Sequence, residues 1–457
     1  MIEANSMNSK KIDMTAGPIM KNVFLFAIPI IFGNVLQQLY TTVDTLVIGK
    51  YCGKTSLAAV GTSSQPVEVF LCIFLGIGSG VSILVSQSIG SKDSRRIIHL
   101  CKTSVFFIFV CGIPLSVLGY LASPFLLKFM GVPADTWNAA LTYTRIIFLG
   151  TIGSLGYNMN AGILRGMGDS KASLWFLIAS GIVNVILDIV FVALLKMDVG
   201  GAALATIIAM FVSWCISILY IRNKFRELDF PVFSLHFYAA ELRAILTIGL
   251  PIGLNNSLYS FGHMAMQTMI NAQGSTFMAG LSVAGRITGC SNIAITALSS
   301  AATTFSGQNF GARNIERLRK GYIKIPVVSA MITLAFGLFF IAVRMPILRV
   351  FSADTEVLMY ASRYVIITLL SQWMFALFNG IMCFVNGVGL VKYTTVINLL
   401  MLWAVRIPSG YLIMKFFDGT FIMLCFPISF AFGMFCMIGY YLFSPKWKAV
   451  IQQKSVS

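Results

Sequence analysis

The stretch ASLWFLIASGIVNVILDIVFVALL, residues 172–195, decides how this chain is to be read. Every side chain from Leu174 to Leu195 is apolar or small except Asn184 and Asp188. The run is as long as the ~20 residues a helix needs to cross the hydrocarbon of a bilayer. A bare carboxylate in hydrocarbon is expensive, so something must keep Asp188 there.

Working outward, comparable runs cover roughly residues 22–49, 56–88, 97–122, 136–163, 200–222, 243–270, 277–304, 321–343, 357–386, 393–416 and 419–443, twelve spans in all. Composition agrees: apolar residues make up 57% of the 457, charged ones 11%, and the mean hydropathy is +0.85. Soluble domains carry about 25% charged residues. The expected fold is therefore an all-α polytopic membrane protein. The first run follows a polar stretch and has no small-residue cleavage site after it, so it is expected to be a span and not a signal peptide.

A net charge of +17 could suggest a nucleic-acid partner, but its distribution does not. With the amino terminus inside, one set of loops holds 22 Lys and Arg, among them Lys10, Lys11, Arg95, Arg96, Lys171, Arg222, Lys224, Arg317, Arg319, Lys320, Lys392 and Lys446. The opposite set holds only Lys50, Lys54, Lys128, Lys196, Arg344, Arg349 and Lys415. That asymmetry is a topology signal and puts both termini on the inner, cytoplasmic side. The nine cysteines show no metal or redox spacing and read as packing residues.

The chain repeats itself. AIPIIFGNVLQQLY from Ala27 returns as GLPIGLNNSLYSFG from Gly249; SQSIGSKD from Ser86 pairs with GQNFGARN from Gly307; RGMGDSK from Arg165 pairs with NGVGLVK from Asn386. The offsets are 222, 221 and 221. Two six-span halves result, residues 1–222 and 243–457, joined by a cytoplasmic linker over 223–242. Six spans return the chain to its starting side, so the halves are expected to be pseudo-symmetric lobes around a central cavity.

Asp44 lies 22 residues after Asn22, about 33 Å along its span, and Asp188 falls at a similar depth in the outer half. Gln37 and Tyr40 share a helix stripe with Asp44, and Asn184 shares one with Asp188. Thr206 reaches that depth from the other direction. Asp44, Asp188, Asn184, Tyr40 and Thr206 thus form a candidate polar pocket. The second half has Met266 opposite Asp44 and Ser409 opposite Asp188. Acids within spans mark ion or proton paths more often than helix-locking pairs. Glu68 either lines the cavity or faces a polar crevice. Arg286 and Arg406 could meet anionic groups, but they are expected rather to snorkel or to pair with backbone carbonyls. His99, His236 and His263 are far apart, and RGMGDSK is expected to be a turn between the fourth and fifth spans.

MTAGPIMKNVFLFAIPIIFGNVLQQLYTTVDTLVIG, SLAAVG near Ala58, LRGMGDSK and NVILDIVF together resemble the prokaryotic multidrug and toxic compound extrusion (MATE) transporters, in particular their DinF-like branch. The resemblance implies a twelve-helix, two-lobed antiporter that exports organic, often cationic, compounds against inward Na⁺ or H⁺. It also implies a cation site at Asp44, Asn184 and Asp188, with Tyr40 and Thr206 as neighbours and Asn158 or Asn160 as the fourth-span asparagine.

The function expected is export of drugs or metabolites by alternating access, coupled to H⁺ or Na⁺ at Asp44, Asp188, Asn184, Tyr40 and Thr206. Gln37, Glu68 and Asn160 would line the cavity. Asp44, Asn184, Asp188 and Thr206 offer oxygens for Na⁺, whereas a proton satisfies an acid pair with fewer ligands. No cofactor, no nucleic acid and a functional monomer are expected, with small cationic compounds and the bilayer as partners. A flippase for a lipid-linked oligosaccharide would need several cationic cavity residues, which the first half lacks. A membrane-embedded enzyme would need a convergent nucleophile, base or metal set, and none is visible.

Overall fold

A computed structural model describes residues 12–452, apart from the side chains of Lys54, Ser64, Gln65 and Pro66. Among the described residues the regular elements are helices, with no strand. The first half runs α1 (Ile19–Tyr51), α2 (Gly53–Gly90), α3 (Ser94–Phe129), α4 (Trp137–Leu149), α5 (Thr151–Gly166), α6 (Ser170–Asp188) and α7 (Asp198–Lys224). The second runs α8 (Ala239–Asn271), α9 (Ser275–Gly311), α10 (Ile315–Ala342), α11 (Arg344–Phe351), α12 (Thr355–Gly387), α13 (Val391–Leu399), α14 (Ile407–Phe416), α15 (Cys425–Phe443) and α16 (Pro445–Gln452).

Grouped by continuity, these elements give the twelve expected spans. The fourth is α4 and α5, broken at Gly150, where an added Cβ would overlap Ile207 of α7. The fifth is α6 extended by a π-helical turn, Ile189–Leu194. The eleventh carries its π turn, Leu400–Arg406, between α13 and α14. Counted with the π and 3-10 turns that continue them, nine helices among the described residues are long and apolar enough to cross a membrane; α4 and α5 are each too short, and α8 and α9 are more polar.

The repeated turns explain themselves locally. SQSIGSKD ends α2 through Lys92 at φ 58° and starts α3 with Asp93, whose side chain accepts from the Arg96 N–H. GQNFGARN ends α9 through Arg313 at φ 54° and starts α10 with Asn314, accepting from the Arg317 N–H. Both are N-caps that satisfy an otherwise orphaned first-turn donor. RGMGDSK is the expected turn, with Gly168 at φ 88° and Asp169 capping α6 through the Ala172 N–H. Asp169 Oδ2 also accepts from Lys224 Nζ at 2.5 Å and Tyr220 OH at 2.8 Å, tying the turn to the end of α7.

The described residues divide into two compact units. Ile12 and Ile28–Asn256 form the first, and Asp13–Ala27 with 257–452 form the second. The division falls inside α1 beside Pro29 and inside α8 a little beyond Pro251, not at the polar linker. Each of those two helices is continuous, so hydropathy carries no trace of the boundary. In the first unit α2 packs on α3, α4 and α5, while α7 packs on α4, α5 and α6. Gly76 and Gly80 of α2 abut Gly249 and Gly253 of α8 so closely that a Cβ on any of them would strike backbone. In the second unit α12 is central, packing on α9, α10 and α15. There the segment before α1 is clasped. Arg317 donates to the carbonyls of Met14 (2.9 Å), Gly17 (2.7 Å) and Ala16 (2.9 Å), Asn309 Nδ2 donates to Met14 O, and the Met14 side chain is fully buried.

Candidate functional site

Three helices of the first unit build the pocket. Ser180 Oγ of α6 donates to Ala209 O of α7 at 3.1 Å, and Ser213 Oγ of α7 donates to Phe176 O of α6 at 3.2 Å. Four residues forward on one helix match four back on the other, so the pair is antiparallel. Extending that register by one turn puts Asn184 opposite Ala205, beside Thr206. On α1, a Cβ on Gly33 would touch Leu177, and one on Gly181 would touch Tyr40. Those contacts advance together, so α1 and α6 run parallel. A further turn along each brings Asp44 level with the stretch from Asn184 to Asp188.

At that level the acids meet. The Asp44 and Asp188 carboxyls lie within hydrogen-bonding reach of each other. Asp188 is fully buried and Asn184 nearly so. No donor or acceptor among the described residues satisfies Asp188 Oδ1 and Oδ2, Asn184 Oδ1 and Nδ2, or Asp44 Oδ1. Buried polar atoms normally find partners because leaving one unpaired costs about 1–3 kcal/mol. Five such atoms at one place form a buried polar cluster that the described residues do not satisfy among themselves. Two carboxylates within contact cannot both stay charged cheaply, so a proton shared between them satisfies the pair. The oxygens of Asp44, Asn184 and Asp188 suit a hard monovalent cation equally well.

The remaining expected residues separate. Tyr40 flanks Asp44 and bonds with Gln37. Thr206 Oγ1 donates to Ala202 O within its own helix at 3.0 Å, which leaves its lone pairs free to accept. Gln37 and Glu68 are exposed. Asn160, expected to line a cavity, is buried inside the unit, with Nδ2 donating to Ser217 Oγ of α7 at 2.8 Å and Oδ1 unpartnered. Asn158 spends its Nδ2 on Ser154 O one turn back. Tyr143 of α4 was invisible to sequence reasoning, yet it stands within electrostatic reach of both Asp44 and Asp188. An aromatic residue inside a span is ordinary, and only the packing of α4 against α7 and α2 turns this one toward the acids.

The second unit differs from expectation at Arg406. Met266, expected opposite Asp44, is buried, and its Cε lies 3.5 Å from where a Cβ on Gly410 would stand. Its facing residue is therefore Gly410, one beyond Ser409, whose hydroxyl is taken by Arg406 O at 3.0 Å. Arg406 neither snorkels nor bonds to backbone carbonyls. It is 1% exposed, with Nε on Ser429 Oγ at 2.9 Å and NH1 on Tyr259 OH at 3.1 Å. The π turn that ends at Arg406 carries it into a ring-lined interior. Arg286, by contrast, is exposed.

Comparison with known proteins gives a consistent result. The MatE family model matches the chain twice, over residues 29–190 and 251–412, an offset of 222 at both ends. The probable multidrug resistance protein YoeA of Bacillus subtilis is 27% identical over 445 residues, covering 94% of this chain and 95% of that protein. DNA damage-inducible protein F of Escherichia coli is 24% identical over 348 residues, 76% of each. Among solved structures, a MATE protein in complex with MaL6 aligns with a TM-score of 0.85 at 22% identity, covering 98% of this chain and all of the other. A multidrug resistance MATE transporter in an outward-facing conformation gives the same score and identity over 98% and 99%.

Proposed function

Because the chain belongs to the MatE family, whose members are multi-pass membrane transporters and not enzymes, we propose that it is a cation-coupled antiporter exporting organic compounds by alternating access. The observation that carries this reading is the unsatisfied cluster of Asp44, Asn184 and Asp188. A bound ion biases a two-state protein only by its different affinity for the two states. Entry of H⁺ or Na⁺ at the acid pair would stabilise one arrangement of α1 against α6, and loss of the ion the other. The two carboxyls already in reach of each other favour H⁺, since one shared proton satisfies them without further ligands.

The relatives' names extend this to multidrug export, with small cationic compounds as the substrate class. The loop charges favour cytoplasmic termini and a cytoplasmic linker between two six-helix halves; the bacterial relatives support a place in the bacterial plasma membrane, where the protein is proposed to act as a monomer. The test is efflux of a cationic dye from reconstituted vesicles under separately imposed pH and Na⁺ gradients. Efflux driven by the pH gradient alone supports H⁺. Efflux that requires Na⁺ moves the assignment to Na⁺, with Thr206→Val then weakening it. Efflux indifferent to both gradients, or still gradient-driven in an Asp44→Asn, Asp188→Asn double variant, removes the pocket from the mechanism.

A further inference from the structure

We propose that the second unit holds a binding site for a monovalent anionic group, centred on the Arg406 guanidinium. Arg406 is buried to 1% exposure at the end of the π turn Leu400–Arg406. Two of its nitrogens bond to neutral hydroxyls, those of Ser429 and Tyr259, and the third, NH2, has no acceptor. The rings of Phe430, Phe426 and Tyr259 stand 5.0, 5.2 and 5.8 Å from its central carbon.

A guanidinium in a protein cannot escape burial by losing its proton. A buried charge is tolerated when it is paired, yet no carboxylate among the described residues forms an ion pair with Arg406. The acids of 257–452 stand at helix starts: Glu316 and Glu356 in first turns, Asp354 and Asp418 as N-caps. Ring quadrupoles offset part of the cost, but they accept no hydrogen bond from NH2. The cage thus holds a cation with no carboxylate beside it among the described residues.

Donor geometry indicates what fits. Ser429 Oγ has already donated to Phe426 O. Tyr259 OH accepts from Arg406 and donates its own proton to no acceptor among the described residues. NH2 and the Tyr259 hydroxyl together offer donors to one small acceptor of single negative charge, a free halide or the carboxylate of a transported zwitterion. The approach is on the Tyr259 side. Tyr259 is half-buried, and His263, one turn along α8 with its ring 5.2 Å from that of Tyr259, is exposed.

Binding is read without transport, so its result stands apart from the efflux experiment. The unfolding midpoint of the purified protein is followed as methanesulfonate is replaced, at constant ionic strength and pH, by chloride in one arm and by acetate in the other. The expected result is a saturable rise in at least one arm. Half-saturation should be about tenfold or more weaker in Arg406→Gln, since charge-assisted hydrogen bonds are lost, and weakened to a lesser degree in Tyr259→Phe, which keeps the ring and the fold. Saturation by chloride identifies a free halide. Saturation by acetate alone identifies a substrate carboxylate, and a carboxylate-bearing dye should then be exported in preference to its methyl ester. No saturable response in either arm of the wild type overturns the site, as does unchanged half-saturation in a folded Arg406→Gln or, should that variant not fold, in Tyr259→Phe.

Discussion

Matched at the offset of 222, the two halves set Asp44 against Met266, Asn184 against Arg406 and Asp188 against Gly410. In the first unit those positions hold two acids in contact and an amide, all with unsatisfied atoms. In the second, a methionine methyl lies against a glycine, and a buried arginine takes the place of the amide. The scaffold repeats down to its N-capped turns, while the sign of the buried charge inverts. The lesson is that helix register and turn geometry are held by many weak, redundant contacts, whereas the chemistry of a lobe rests on three side chains that changed without disturbing them.

The largest effect should come from breaking that contrast at the acids. Asp44→Asn or Asp188→Asn is expected to bring drug resistance in a sensitive host to background while membrane expression persists, and Met266→Leu at the matching position should leave resistance near wild type. Equal losses at all three positions, scored with immunoblots for expression, would mean that both sites serve packing alone.

A second contrast concerns glycine. Gly253 abuts the backbone of Ile73, so Gly253→Val must push two helices apart and should cost about 3 kcal/mol, at the upper end of overpacking penalties. A purified variant whose unfolding midpoint matches wild type would contradict the close approach of α2 and α8.

The turns differ as well. Asp169 caps α6 and pairs with Lys224, whereas its counterpart Leu390 precedes α13 with no side-chain cap. Asp169→Leu therefore loses a cap and leaves a partly buried ammonium with Tyr220 OH but no carboxylate, together about 2 kcal/mol. Denaturation of this variant alongside an Asp169→Leu, Lys224→Met double variant separates the two contributions, and a single variant as stable as wild type would refute both. The smallest effect is expected at Gly285 of α9, where an added Cβ meets nothing within 4 Å. Gly285→Ala should stabilise by about 0.5–1 kcal/mol through helix propensity, and a lowered midpoint would show that the face needs to stay open.

Much of the architecture is legible in the sequence because membrane burial writes long apolar runs and because capped turns depend on a few adjacent residues. Asp44, Asn184 and Asp188 stand out for the same reason: polarity inside such a run has to be explained. Arg406 was visible too, but its surroundings were not. Nothing in the local sequence tells that Tyr259, Phe426, Phe430 and Ser429, drawn from two other helices, close around it. Tyr143 and the break at Gly150 escape notice because an aromatic residue or a glycine in a span acquires meaning only from the helix packed against it. The division inside α1 and α8 is likewise a property of contacts and not of residue type.

The clasp around Met14 sets an order of events during synthesis. Its carbonyls leave the ribosome early, but the arginine that holds them is 303 residues further along the chain. At about 5–20 residues per second the segment waits on the order of 15–60 s for its receptor. The stretch leading into the first span is therefore made well before the residue that fastens it, so its docking can report that the second half has reached its native arrangement.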